Sequence, residues 1–217
     1  MNIPFSPPDI SELEIQEVAQ ALRSGWITTG PRTKQLERNI AAYVGVNRCV
    51  CLNSQTACQE MALHVLGVGP GDEVIVPAYT YTASASVVCH VGAKLVLIDS
   101  QKDSLEMDYD ALEKAITPNT KVIIPVHLFG QNADMESILR LAREHNIYVV
   151  EDACQSIGSY YTFSNGEKYH SGCIGDIGCT SFFPSKNLGC YGDGGAIFTN
   201  NDELAEKMHS IANHGMK

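Results

Sequence analysis

The chain has 217 residues, of which 44% are hydrophobic and 18% charged, an ordinary composition for one large globular α/β domain. Its formal net charge of -10 argues against a nucleic-acid-binding protein, because such proteins need clustered Lys and Arg to neutralise phosphates. The same acidic balance argues against docking on an anionic membrane, and the apolar runs are too short to span one.

The pattern of apolar residues predicts helices and strands in the following order. After an extended segment at Pro4–Pro8, the capping-box pattern of Ser11 and Glu14 begins a helix that ends at Gly25, and a second helix covers 33–43. From there short β-branched runs alternate with amphipathic helices. The strands are predicted at 48–53, 73–77, 94–99, 121–128, 147–151, 177–182 and 195–199, and further helices at 54–66, 82–91, 108–116, 134–144 and 202–212.

This alternation predicts a three-layer α/β/α fold with a mostly parallel central sheet. Strands such as 122–126 are apolar throughout, which is typical of strands covered by helices on both faces. The loops that follow the carboxyl ends of such strands share one edge of the sheet, where open α/β sheets bind ligands. We therefore look for functional residues immediately after each predicted strand.

Eight cysteines are spread along the chain, several of them in strand-like runs where they act as small buried hydrophobic residues. No basic region followed by an apolar stretch opens the sequence, so no secretory signal is predicted. Reduced thiols in a cytoplasmic protein are therefore favoured over disulfides. The cysteine and histidine spacings match no zinc site, which argues against a bound metal.

Two segments at strand ends carry polar or aromatic residues that could either bind a ligand or serve the structure. Gln55 and Thr56 open a helix, whose free N–H groups and dipole favour an anion, although Ser54 also fits a plain helix cap. Tyr81 follows the next strand, where its ring can stack on a planar ligand or fill an interface. Each of these features is weak evidence by itself.

Two later segments are more specific. Glu151 and Asp152 end a hydrophobic strand, where a carboxylate can pair with a protonated ring nitrogen, bind a metal or cap a helix. Lys186 is the only cation in a long, glycine-rich and largely apolar stretch. A lysine held away from water becomes a nucleophilic amine suited to Schiff-base chemistry, whereas most loop lysines are simply solvated. The length of this stretch favours the chemical interpretation.

Taken together and in order, the segments 54–57, 77–83, 151–156 and 181–196 resemble the DegT/DnrJ/EryC1/StrS sugar aminotransferases. The loop at 24–31 and the segment 125–131 fit the same family. Members are fold-type I enzymes that use pyridoxal 5'-phosphate (PLP) and are built like aspartate aminotransferase. The resemblance implies that residues 1–217 comprise an N-terminal segment and the large PLP-binding domain, without the family's small C-terminal domain. We expect the natural protein to be longer by about one domain-sized segment.

The resemblance also assigns roles to individual residues. Lys186 would hold PLP as a Schiff base and then act as general acid and base, and Asp152 would pair with the pyridinium nitrogen. Family members usually carry Gly where Gln55 stands, which leaves the backbone N–H as the common donor. The other implied contacts are those of Gln155 with the ring hydroxyl, Tyr81 with the ring face, and Gln55, Thr56 and Ser181 with the phosphate.

The activity implied by the resemblance is transfer of an amino group from glutamate to a nucleotide-linked 3- or 4-keto sugar, in polysaccharide or modified-sugar biosynthesis. Lys186 favours transamination over dehydration, because related dehydratases carry His there. A homodimer with shared active sites is also implied. The alternative is a truncated, weakly active or inactive module that binds PLP or a partner. An ordinary dinucleotide-binding domain is disfavoured, since 53–56 lacks the glycine-rich turn of that fold.

Overall fold

A computed structural model of the protein describes residue 3 and residues 7–216. The extended segment predicted for Pro4–Pro8 therefore lies mostly outside the described residues. The α-helices in the described ranges are α1 (Glu12–Arg23), α2 (Pro31–Val44), α3 (Gln55–Val65), α4 (Ala83–His90), α5 (Tyr109–Ala115), α6 (Met135–His145) and α7 (Asp202–Ala212). The strands in the same ranges are β1 (Arg48–Leu52), β2 (Glu73–Pro77), β3 (Lys94–Ile98), β4 (Thr120–Ile123), β5 (Tyr148–Asp152), β6 (Tyr160–Thr162), β7 (Lys168–His170), β8 (Ile177–Ser181) and β9 (Gly195–Thr199).

The central sheet has seven strands in the order β1-β9-β8-β5-β4-β2-β3. Pairing is parallel from β8 through β5, β4 and β2 to β3, whereas β9 runs antiparallel to both of its neighbours. All strands of the central sheet except β9 therefore point the same way, which confirms the mostly parallel sheet. Their carboxyl ends meet at one edge, which the amino end of β9 shares.

Helices cover both faces of this sheet because successive strand residues point to opposite sides. In β2, Val74 and Val76 pack with α3, α4 and α7, whereas Ile75 packs with α5 and α6 on the other face. Helix α2 covers β1 and β9 through a third cluster. Full burial of one such side chain contributes about 1.5–3 kcal/mol. The three-layer α/β/α prediction is confirmed.

Helix α1 begins with the predicted capping box. Ser11 Oγ accepts the Leu13 N–H, and the Glu14 carboxylate accepts the Ser11 N–H at 2.6 Å. None of its residues is buried, and Leu13 and Leu22 on its apolar face are exposed. The sequence therefore predicted the helix and its cap, and the described residues leave its apolar face uncovered.

The strand predicted at 121–128 is too long. Strand β4 ends at Ile123, because Pro125 has no N–H to continue the ladder, and Leu128–Gly130 form a 3-10 turn. Helix α2 starts at Pro31 rather than at residue 33, since proline fits the first turn of a helix. The antiparallel hairpin of β6 and β7 was not predicted, and Gly166 in its turn has a φ of 88°.

The eight cysteines are free, and Cys58 and Cys179 are wholly buried in the core between the sheet and α3. Both thiols have a raised pKa because burial disfavours the thiolate. The described residues contain no cluster of three or more His, Cys, Asp and Glu able to hold a metal ion. No helix in the described ranges is long and apolar enough to cross a membrane.

Candidate active site

A cavity of about 450 Å³ opens at the edge of the sheet where the parallel strands end. The loops after β1, β2, β4, β5 and β8 form its walls, so residues far apart in sequence meet there. All of the residues predicted for the site line this cavity, namely Gln55, Thr56, Tyr81, Asp152, Gln155, Ser181 and Lys186.

Asp152 is the last residue of β5, and it is only 2% exposed. Its Oδ2 accepts hydrogen bonds from Ser84 Oγ at 2.7 Å and from Gln59 Nε2 at 2.9 Å. Its Oδ1 accepts the Cys154 N–H at 3.2 Å. Each of these partners donates, as a carboxylate anion requires, because its oxygens can only accept. Neither Gln59 nor Ser84 was predicted from the sequence.

Glu151 is wholly buried and serves a different part of the molecule, because neighbouring strand residues face opposite sides. Its carboxylate accepts the N–H groups of Gly172 at 2.9 Å and of Ile174 and Gly175 at 2.6 Å each. It also lies 2.8 Å from His127 Nε2. The structure thus separates the two adjacent acids: Asp152 faces the cavity, and Glu151 anchors the loop before β8.

His127 fixes the start of the cavity wall that follows β4. Its Nδ1 accepts the Ala133 N–H at 3.2 Å, so the ring proton lies on Nε2 and is donated to Glu151. Phe129, two residues later, has a φ of 54°, a strained conformation for a bulky side chain. Its N–H donates to Gln155 Oε1 at 2.7 Å. Gln155 is therefore held by its carbonyl oxygen, which leaves its Nε2 to donate elsewhere.

The amino end of α3 offers free donors to the cavity. Ser54 caps the helix, since its Oγ accepts the N–H of Ala57, the third residue of α3, at 3.1 Å. Within the described residues the N–H groups of Gln55 and Thr56 have no acceptor, so the helix dipole and two donors favour an anion there. A Cβ on Gly195 would lie 2.6 Å from the Gln55 nitrogen. The glycine therefore allows the end of α3 to approach β9.

Ser181 ends β8 beside the same helix end. Its Oγ accepts the Phe183 N–H at 3.2 Å, which leaves the hydroxyl proton to donate to a ligand. Gln55 is buried, and its Nε2 has no partner among the described residues. Tyr81 also lines the cavity and is 79% exposed, so its ring is free to pack on a ligand.

Lys186 lies in the loop after β8, partly buried in the cavity wall, and its N–H donates to the Phe183 carbonyl at 2.8 Å. It forms no ion pair within the ranges that the structure describes. Burial and then the Asp152 charge raise the pKa of the neighbouring Cys154 thiol, while Lys186 opposes that rise. The Cys154 thiol therefore stays protonated.

The profile of the DegT/DnrJ/EryC1/StrS aminotransferase family matches residues 8–217. The spore coat polysaccharide biosynthesis protein SpsC of Bacillus subtilis is 41% identical over 214 residues, which cover 99% of this chain and 54% of SpsC. A UDP-2-acetamido-2-deoxy-3-oxo-D-glucuronate aminotransferase of Pseudomonas aeruginosa is 48% identical over 200 residues, covering 91% of this chain and 54% of that protein. The chain thus spans about half the length of the curated relatives it matches.

Solved structures show the same likeness. Spr1654 of Streptococcus pneumoniae in its PLP form superposes on the chain with a TM-score of 0.92 at 46% identity. The match covers 100% of this chain and 59% of Spr1654. Its PMP form gives the same TM-score at 45% identity.

Proposed function

Because the chain belongs to the DegT/DnrJ/EryC1/StrS aminotransferase family, we propose that the whole protein transfers an amino group from glutamate to a nucleotide-linked 3- or 4-keto sugar. PLP is the proposed cofactor. The observation that carries this proposal is the meeting of a buried carboxylate, Asp152, and the amine of Lys186 in one cavity at the sheet edge. The names of the Pseudomonas relative and SpsC support a 3-keto sugar and polysaccharide biosynthesis.

The residues that line the cavity fit PLP. Its volume lies within the range of about 300–1,000 Å³ found for small-ligand sites. The free N–H groups of Gln55 and Thr56 and the hydroxyl of Ser181 suit a phosphate dianion. Three donors surround Asp152, and a carboxylate held in this way suits a protonated ring nitrogen.

When bound, PLP supplies an electrophilic carbonyl carbon and, with its ring nitrogen protonated, an electron sink for charge that develops on the substrate. Asp152 would hold the proton on that nitrogen. Gln155 Nε2 would donate to the ring oxygen, because Phe129 already occupies Oε1. Tyr81 would cover one ring face, which adds about 0.5–1.5 kcal/mol beyond its buried area and excludes water.

Lys186 would hold the cofactor covalently through Nζ and would afterwards move a proton between carbon atoms. An amine at this position suits proton transfer in transamination, since the Lys186 amine would be free once the amino donor takes its place on the cofactor. Glutamate would act first and the keto sugar second, as in other double-displacement reactions. Both substrates would enter from the open side of the cavity beside Tyr81.

We also propose that two copies of the protein form a homodimer around these cavities. The support is a neighbouring cavity, which shares Val126 and Leu128 with the first and is lined by the exposed side chains of Tyr79, Leu105 and Phe129. Large exposed apolar side chains that are grouped together are typical of protein interfaces. Light scattering after size exclusion measures the number of copies, and a monomer at micromolar concentration would contradict this part of the proposal.

The test is to trap PLP on the whole protein with borohydride and to map the labelled peptide by mass spectrometry. We expect the label on Lys186 and none in Lys186→Ala, whereas Lys207→Ala, which removes an exposed lysine of α7, should label normally. Transfer from glutamate to a panel of nucleotide-linked keto sugars is then measured. Labelling of another lysine, or of none in folded protein, would overturn the cofactor site.

A further inference from the structure

Gln59 lies in the second turn of α3 and is 0% exposed, among buried apolar neighbours such as Ala62 and Leu63. Its Nε2 donates to Asp152 Oδ2, but its Oε1 has no partner among the described residues. A buried carbonyl oxygen without a donor costs free energy. A leucine of similar volume avoids that cost, so packing does not account for a glutamine here.

Ser84, on α4, reaches the same carboxylate oxygen from another side. Its Oγ is 2.7 Å from Asp152 Oδ2 and 3.1 Å from Thr80 Oγ1. Because a carboxylate only accepts, the Ser84 proton points to Asp152 and the Thr80 proton points to Ser84. Two donors therefore occupy Oδ2, whereas Oδ1 has only the longer contact with the Cys154 N–H.

We propose that Gln59 and Ser84 are positioning residues that hold Oδ2 of Asp152 and leave Oδ1 to face the protonated ring nitrogen of the cofactor. The inference rests on the proposed function. Donation to Oδ2 stabilises the anion and fixes the side-chain torsion. Without it, the anion is less stabilised, so on acidification it is lost at a higher pH, and its pairing with the ring nitrogen is lost with it.

Other titratable groups around Asp152 do not obscure this effect. The thiols of Cys154 and Cys179 face the same carboxylate, and burial together with its charge raises the pKa of both, so they stay neutral. His127, Lys186 and Asp193 also line the cavity, and all three are present in every variant and control. Glu151 faces the opposite side of β5. A change in the pH profile between variants therefore reports on Asp152.

The test compares the whole protein with Gln59→Leu and with Met61→Leu, a repacking control on the same helix. PLP affinity is measured by equilibrium dialysis across pH, together with the cofactor absorbance and the urea unfolding midpoint. We expect Gln59→Leu to fold, with a urea midpoint no higher than that of the natural protein, because the buried carboxylate loses one donor. We expect it to bind PLP about tenfold more weakly near neutral pH, with the acid limb of its profile about one pH unit higher.

The second pair is Ser84→Ala, which removes the other donor, with Ser86→Ala on the same helix as its control. It gives the same comparison if Gln59→Leu does not fold. If the donor variants match their controls in affinity and pH profile, the inference is wrong even though PLP binds. If the natural protein shows no label on Lys186 after borohydride, the proposed function has failed instead, and the two failures are thereby distinguished.

Discussion

Glu151 offers the sharpest test of how this fold is held together. Its buried carboxylate accepts hydrogen bonds from His127 Nε2 and from the N–H groups of Gly172, Ile174 and Gly175. The change Glu151→Gln keeps the shape of the side chain, removes its charge and turns one acceptor oxygen into an NH₂ group. That group would point at N–H donors, so at least one of them is left without a partner.

The size of the effect follows from these contacts. A hydrogen bond to a charged group contributes about 1.5–3 kcal/mol, and a buried donor without a partner adds a desolvation cost of about 1–3 kcal/mol. Loss of one partner from a buried charged network costs about 3–5 kcal/mol in comparable cases. We therefore expect Glu151→Gln to lower the free energy of unfolding by about 3–5 kcal/mol.

Urea unfolding followed by circular dichroism measures this change. The matched control is Glu144→Gln on α6, which removes an exposed carboxylate paired with Arg140 at 3.1 Å. That control should cost less than about 0.5 kcal/mol, as exposed helix pairs do. A loss below about 1 kcal/mol for Glu151→Gln would refute the argument, because it would show that the loop donors find other partners.

Two further predictions concern packing and pH. Gly195→Ala should cost about 1–3 kcal/mol in the same urea assay and weaken PLP binding in dialysis, because its Cβ would push against the Gln55 nitrogen; unchanged PLP affinity would contradict the close approach of α3. Although burial opposes ionisation, hydrogen bonds from Ser137 and Tyr161 lower the pKa of Asp134. The Asp134 carboxylate therefore stabilises the fold at pH values above the pKa that it has in the unfolded chain. This stabilisation is lost as the pH falls through the pKa that it has in the folded protein. Asp134→Asn should therefore lower the free energy of unfolding at neutral pH, and the difference from the natural protein should shrink as the pH falls. Parallel curves of stability against pH for the two proteins would contradict this.

The common location of the predicted site residues follows from the sequence by simple geometry. Thr56, Tyr81, Asp152 and Ser181 each follow or end an apolar run read as a strand. Parallel strands place their carboxyl ends at one edge, so residues at those ends must meet if the sheet is parallel. Lys186 shares the edge because it follows β8. Their individual roles toward PLP stay predictions.

The contacts behind that edge could not be predicted. Gln59 and Asp152 are separated by 93 positions and Ser84 and Asp152 by 68, and no local pattern tells which helix residue faces which strand end. A glutamine inside an apolar helix was the one visible signal. The hairpin of β6 and β7 was missed for a similar reason, since three-residue strands are too short to show a period.

The adjacent acids Glu151 and Asp152 connect the stability of the chain to its proposed chemistry. Strand alternation sends Asp152 to the cavity and Glu151 to the loop at 172–175. That loop leads directly into β8, which ends at Ser181 and is followed by the loop of Lys186. The carboxylate of Glu151 therefore fixes the start of the same strand that ends at the proposed phosphate donor, Ser181, and leads to the Lys186 amine. One strand, β5, thus carries Asp152, the proposed partner of the ring nitrogen, and anchors the neighbouring strand that brings the other proposed groups to it.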